Sequence, residues 1–361
     1  MNNFFVKDSY FYPAILVAFF FISYSFLLKK NSVRYSEVFF GFAAFIVLIL
    51  YYPFVKDEFQ KHFFLSVMAF VFFYFYAIYF NCCYGGLLNV NIKNVSSVFY
   101  ILIFLCFVGA AIDLPGKNTI VYSEPSHLAL ALSPLYIYIM LKAKGFLSRL
   151  FNSFLLLALS LFVQNLVMFY LFVFGWILCL YFSRFFYIKV VFLLPIVFFI
   201  VISSDYFLDR INLNPIDEVN NLSLLVFLSG WERAYLNFIE TNGFGLGFNM
   251  LGYYGEQGVA MDKVFDSSGS YLNLYDGGSL APKMISELGL IGIFLLVLYL
   301  FFFFKLLGKA KAGAISNNEF SFSFSLYAAF SIELFVRGMG YFSILSVVFF
   351  ISVLSLFRLK E

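Results

Sequence analysis

Apolar runs of about 20 residues recur along the chain, broken by short polar segments, and this rhythm sets the first expectation. A run of that length matches a hydrocarbon core roughly 30 Å thick. The pattern predicts eleven spans, at 10–28, 36–54, 63–81, 96–112, 124–141, 150–163, 166–182, 187–203, 286–304, 321–337 and 341–357. The sixth and seventh share one apolar stretch, divided at Gln164 and Asn165, where a tight turn is expected. Short alternating segments, the signature of a membrane β-barrel, do not occur. The expected fold class is an all-α polytopic membrane protein of about 11 transmembrane helices, with residues 1–361 forming one integral membrane domain.

One segment departs from the rhythm. Residues 203–285 are mostly polar and are expected to form a large extracytoplasmic loop. They hold Asp205, Asp209, Asp217, Glu218, Glu232, Glu240, Glu256, Asp262, Asp266 and Asp276, half of the chain's 20 acidic residues. Loops of this length are uncommon without a function. Within it, "SGWERAYLNFIETNG" predicts a short amphipathic helix over 229–242. Trp231, Ala234, Tyr235, Phe238 and Ile239 repeat at helical spacing. Ser229 and Glu232 suit a capping box, and Asn242 with Gly243 supplies the stop.

Composition agrees with the membrane assignment. Of the 361 residues 63% are hydrophobic, and the mean hydropathy is +0.93. The net charge of +3 gives no sign of nucleic-acid binding. The run 10–28 is too long for the core of a cleaved signal and lacks a small-residue cleavage site, so a first membrane helix is expected. Lysine and arginine concentrate in the loops after odd-numbered spans, including Lys29, Lys30, Arg34, Lys142, Lys144, Arg149, Lys305, Lys309, Lys311 and Arg358. Short segments on the other side hold Lys7, Lys56, Lys61, Lys117 and Arg337. The positive-inside rule therefore places the C-terminus in the cytoplasm and the N-terminus outside. Cys106 and Cys179 fall within spans, while Cys82 and Cys83 are expected in a short cytoplasmic loop. Neither a disulfide framework nor a metal site is expected.

Four stretches could carry chemistry. In "VYSEPSHLALALSP" Pro125 suits the first turn of a helix, with Ser123 as its N-cap and Glu124 favoured by the helix dipole. That capping role accounts for the glutamate but not for His127, which a helix places one turn deeper on the same face. Arg233 falls on the polar side of the loop helix with Asn237 and Glu240. It precedes "GFGLGF", whose Gly243, Gly245 and Gly247 can bring backbone N–H groups close to an anion; the alternative is a solvated arginine before a flexible turn. In "ELFVRGMGYFS", Arg337 ends the tenth span one helical turn beyond Glu333. It is either an ion-pair partner of that glutamate, a snorkelling interfacial cation, or part of a site. Arg210 and Lys283 are the remaining cations of interest in and beside the loop.

These pieces together resemble the Wzy-type O-antigen polymerases, membrane enzymes that join oligosaccharide repeat units of bacterial surface polysaccharides. The resemblance rests on "SEPSHLAL", "RAYLNFIETNGFGLGF", "MISELGLIGIFLLVLYLF" and "VRGMGYFS", in that order, with one large outer loop in the C-terminal half. In the family an arginine stands a fixed distance before a glycine-rich turn; here the glycines come ten, twelve and fourteen positions after Arg233, which departs from that spacing. The resemblance implies a GT-C-like, metal-independent glycosyltransferase with no cofactor, in the bacterial inner membrane. Donor and acceptor are undecaprenyl-diphosphate-linked oligosaccharides, and a chain-length regulator is a candidate partner besides the bilayer. It casts Glu124 as the catalytic base, oriented by His127, and Arg233 and Arg337, with Arg210 or Lys283, as the cations that hold the diphosphate. An O-antigen ligase-type transferase would use the same donor chemistry. A lipid-linked oligosaccharide flippase would show two similar halves and short loops, unlike this chain.

Overall fold

A computed structural model describes residues 33–83, 90–112, 120–122, 124–183, 186–202, 204–211, 219 and 221–359. The span expected at 10–28 lies outside them. The described residues are helical and contain no strand. In chain order the helices are α1 Tyr35–Ile49, α2 Gln60–Cys83, α3 Ile92–Ile112, α4 Pro125–Lys142, α5 Phe146–Phe162, α6 Leu166–Tyr181, α7 Phe186–Ile202, α8 Asp205–Ile211, α9 Leu222–Glu240, α10 Gly258–Ser268, α11 Leu280–Lys311, α12 Asn318–Phe335 and α13 Ile344–Arg358. Among them Tyr35–Phe54, Asp57–Cys83, Ile92–Ile112 and Leu280–Lys311 are long and apolar enough to cross a membrane, and α5, α6 and α13 are shorter apolar helices. Large apolar side chains such as Phe39, Phe104, Phe154 and Phe301 remain exposed on the outside of the bundle, which suits a lipid environment.

Local chemistry sets the helix ends and kinks. The turn expected at Gln164 and Asn165 is present: Gln164 takes a positive φ, and Asn165 caps α6 by accepting from the Met168 N–H at 3.0 Å. Pro134 sits inside α4 and cannot donate to the Leu130 carbonyl, as an interior helical residue would; the Ser133 hydroxyl donates to that carbonyl instead, at 2.7 Å. α11 is broken at Gly289 (φ 55, ψ −126). Its straight part, 290–311, is about 33 Å long at 1.5 Å per residue.

α4 and α12 form the buried axis. Most of α4 is inaccessible from Leu128 onward, and so is nearly all of α12. They run antiparallel. Lys142 at the end of α4 donates to the Ile315 and Ser316 carbonyls just before α12, and Arg337 just after α12 reaches Glu124 at the start of α4. At the Lys142 end of the bundle, Arg358 of α13 makes a two-pronged contact with buried Glu37 of α1 and donates to the Cys82 sulfur. Cys82 and Cys83 form the last turn of α2, not a loop.

The segment after α8 also differs from its sequence reading. α9 begins at Leu222, capped by the Asn221 side chain, and not at Ser229. Ser229 is mid-helix and donates to the Val226 carbonyl. Glu232 makes no capping box with it; its carboxylate accepts the Val259 and Ala260 N–H groups at 2.9 and 2.7 Å and so caps α10. The polar seam of α9 turns inward: Arg233 and Asn237 are fully buried, while Tyr235 and Ile239 face outward. The expected stop is present, with positive φ at Asn242 and Gly243.

Candidate functional site

Three segments far apart in sequence meet at one end of the α4–α12 axis: the start of α4, the turn 276–280 before α11, and the linker 336–343 between α12 and α13. Pro125 fixes the first position of α4, which leaves Glu124 in extended conformation as the N-cap residue. Ser123, expected as the cap, lies outside the described residues. Glu124 does not cap with its side chain. Its Oε2 instead accepts from Arg337 Nη2 at 3.1 Å and from Ser126 Oγ at 3.0 Å, with His127 Nε2 3.7 Å away. The Glu124 side chain is 52% exposed, against 18% for Arg337 and 22% for His127. A reachable carboxylate thus lies against a largely sheltered guanidinium and imidazole.

The expected pairing of Glu333 with Arg337 is not formed. Glu333 is fully buried and accepts from the Met339 N–H and from Ser343 Oγ, at 3.3 and 2.8 Å. It therefore shapes the linker and leaves Arg337 to turn toward α4. The linker is also tied to the 276–280 turn, since the Gly338 N–H donates to the Gly278 carbonyl at 3.0 Å. A Cβ on Gly338 would come within 2.8 Å of the Leu280 nitrogen, so only glycine permits this approach. The contact brings Asp276 in beside the pair. Its carboxylate is 3.0 Å from where a Gly340 Cβ would stand, and it acts electrostatically on both His127 and Glu333. Sequence reasoning counts Asp276 only as one of the loop's acids. Its signal is the "DGGS" turn, whose Gly277 and Gly278 both adopt positive φ.

Two of the expected diphosphate ligands have other partners. Arg233 Nη1 donates to the Leu274 carbonyl at 2.8 Å. Its Nε and Nη2 have no partner among the described residues. Burial lowers its pKa to about 10 and nearby Glu287 opposes the shift, so the group stays charged at neutral pH. Lys283 is equally buried; its Nζ donates to the Tyr275 carbonyl at 2.6 Å and to Glu287 Oε1 at 2.8 Å. Glu287 in turn accepts the Asn249 and Leu251 N–H groups. Arg233 and Lys283 therefore hold adjacent carbonyls of the strip that presents Asp276, and neither reaches solvent. Arg210 lies on α8 with its guanidinium 4.1 Å from the centre of the Tyr206 ring. No described contact joins it to Glu124 or Arg337.

The glycine-rich turn is likewise turned inward. The N–H of Gly243 goes to the Phe238 carbonyl, that of Gly245 to Thr241 Oγ1, and that of Gly247 to the Glu287 carbonyl. Leu246 donates to Ser286, and Leu290 donates to Gly243. The N–H groups expected to face an anion are therefore spent inside the protein, two on the end of α9 and one on the break in α11. The glycines are needed because a Cβ on Gly245 would lie 2.4 Å from the Glu287 oxygen, and one on Gly289 would lie 1.9 Å from the Gly243 oxygen. "GFGLGF" and "SELGL" form a backbone-to-backbone clasp.

The site thus offers a reachable carboxylate, a guanidinium, an imidazole and a second carboxylate. Such a set can bind an anion and move a proton. Among the described residues no three His, Cys, Asp or Glu side chains gather as metal ligands. The chain matches no protein-family model, no curated protein and no solved structure.

Proposed function

We propose that this chain is a bacterial inner-membrane glycosyltransferase that polymerises polyprenyl-diphosphate-linked repeat units, with its site at the outer face. The observation that carries the reading is the Glu124–Arg337 pair, 3.1 Å apart and open to solvent on the carboxylate side. It supports a partner exchange. While paired, Glu124 is a poor base, because an adjacent guanidinium favours its ionised form. A diphosphate is a bidentate acceptor suited to arginine. When the donor's diphosphate takes Arg337, Glu124 loses its counter-charge and becomes the stronger base. The acceptor hydroxyl oxygen then bonds to the donor's anomeric carbon as the bond from that carbon to the diphosphate oxygen breaks. The electron pair leaves with the diphosphate, where Arg337 stabilises it, and the hydroxyl proton passes to Glu124. His127 orients the carboxylate.

The topology proposed with it puts the Lys142–Arg358 end in the cytoplasm. Purified full-length protein, given lipid-linked single repeat units in the presence of a chelator, is expected to produce a ladder of lipid-linked multimers. A product moved in one step to a different acceptor, without lengthening on the lipid, would instead identify a ligase-type transferase. No consumption of the lipid-linked unit in either assay would overturn the transferase reading.

A further inference from the structure

We propose that Tyr275, Tyr253 and His62 form a saccharide-binding subsite beside the Glu124–Arg337 pair; the identity of its natural ligand rests on the transferase reading above. Tyr275 directly precedes Asp276 and is 44% exposed. The Tyr253 ring lies 5.1 Å from it, and the His62 ring lies 4.5 Å from Tyr253. The three rings make a continuous surface from the site to the start of α2. Polar atoms edge this surface: Asn249 Nδ2 is 3.2 Å from His62 Nε2 and also donates to Ser66 Oγ, and the Tyr253 hydroxyl is 3.5 Å from His62 Nδ1.

The mixture of ring faces and polar edges selects the ligand class. A pyranose presents a face of C–H groups, whose positive edges suit the negative face of an aromatic ring. Its hydroxyls need the donors and acceptors that phenol, imidazole and amide groups supply. A lipid tail would make no use of those groups. Lys283 and Arg233, which hold this strip, are buried beneath it. Those two cations serve the subsite indirectly. By holding the Tyr275 and Leu274 carbonyls they fix Tyr275 in place before any ligand arrives, which lowers the ordering cost of binding. The bound sugar would end beside Asp276 and Glu124, where an acceptor hydroxyl is needed.

The test uses the detergent-purified full chain and, as probe, the free oligosaccharide released by mild acid from the surface polysaccharide of the source cells. Binding is followed by saturation-transfer NMR, with folding checked by size exclusion. Saturable binding to the native chain is expected, weakened about tenfold in Tyr275→Ala and in Tyr253→Ala. Tyr275→Phe keeps the ring and should stay within about twofold. Absence of saturable binding by the native chain, or native affinity in both alanine variants, overturns the subsite. Arg337→Lys separates this result from the transferase reading: it should bind the free glycan normally while losing transfer. If it keeps transfer, the proposed chemistry fails whatever the ring variants show.

Discussion

Glu124 and Arg337 are each visible in the sequence as residues that need explaining, yet their pairing across 213 positions is not. Local spacing offers Glu333 as the partner of Arg337, because i,i+4 neighbours meet on a helix. The structure breaks the helix between them and gives Glu333 to the linker. The pair is tested by substitutions that keep shape and change chemistry. Glu124→Gln retains the hydrogen bond from Ser126 but cannot act as a base. It should reach normal protein levels and leave single, unlengthened repeat units. Arg337→Lys keeps the charge and loses the fork, with a similar expected outcome. Exchanging the two residues (Glu124→Arg with Arg337→Glu) restores an ion pair without restoring function; full-length ladders from that double variant would reduce the pair to a structural tie. Arg233 behaves differently. Its removal leaves the buried Leu274 carbonyl without its donor, at a cost of about 1–3 kcal/mol. Arg233→Met should therefore appear mainly as lost folded protein and a lower unfolding temperature in detergent, with any surviving folded fraction still able to turn over.

At the scale of elements, helix starts that depend on local chemistry are legible and those set by distant contacts are not. Pro125 marks the start of α4, and Asn165 marks α6. Ser229 and Glu232 satisfy the pattern of a capping box, but α9 has already run two turns by then, and Glu232 is spent on amides of α10. The inward polar seam of α9 has the same origin. Helical periodicity shows that Arg233 and Asn237 share a face; only the partners on α11 and the 255–256 turn show which way it looks, since Asn237 donates to Ser286 Oγ and accepts from the Glu256 N–H. The clasp between "GFGLGF" and the break in α11 gives a sharp expectation. Gly289→Ala puts a methyl 1.9 Å from the Gly243 oxygen at a backbone angle that L-residues rarely adopt. It should yield little folded protein by fluorescence-detected size exclusion. Gly308→Ala, on the same helix with no atom within 4 Å of the added methyl, should be neutral. Equal behaviour of the two would mean that the clasp does not hold α11.

For the whole molecule, the apolar rhythm is sufficient to predict an all-helical bundle, because a span of about 20 residues is a property of the segment itself. The site is not predictable in that way, because it is assembled from the start of α4, the turn before α11 and the linker after α12. Packing does supply an internal check on orientation. At one end Lys142 contacts Ser316 and Arg358 contacts Cys82, and Glu124, Asp276 and Arg337 gather at the other. If the bundle crosses the membrane along this axis, the positive-inside rule places the first group in the cytoplasm and the candidate site outside. Ser268 and Ser316 are both exposed; Ser268 ends α10 in the segment between α8 and α11, and Ser316 accepts from Lys142. In a background with Cys82, Cys83, Cys106 and Cys179 replaced, Ser268→Cys should react with an impermeant maleimide on intact cells from which any outer membrane has been removed. Ser316→Cys should react only after the membrane is opened. The opposite labelling would put the Glu124–Arg337 pair in the cytoplasm, away from a lipid-linked glycan on the outer leaflet, and the proposed function would fall with the topology.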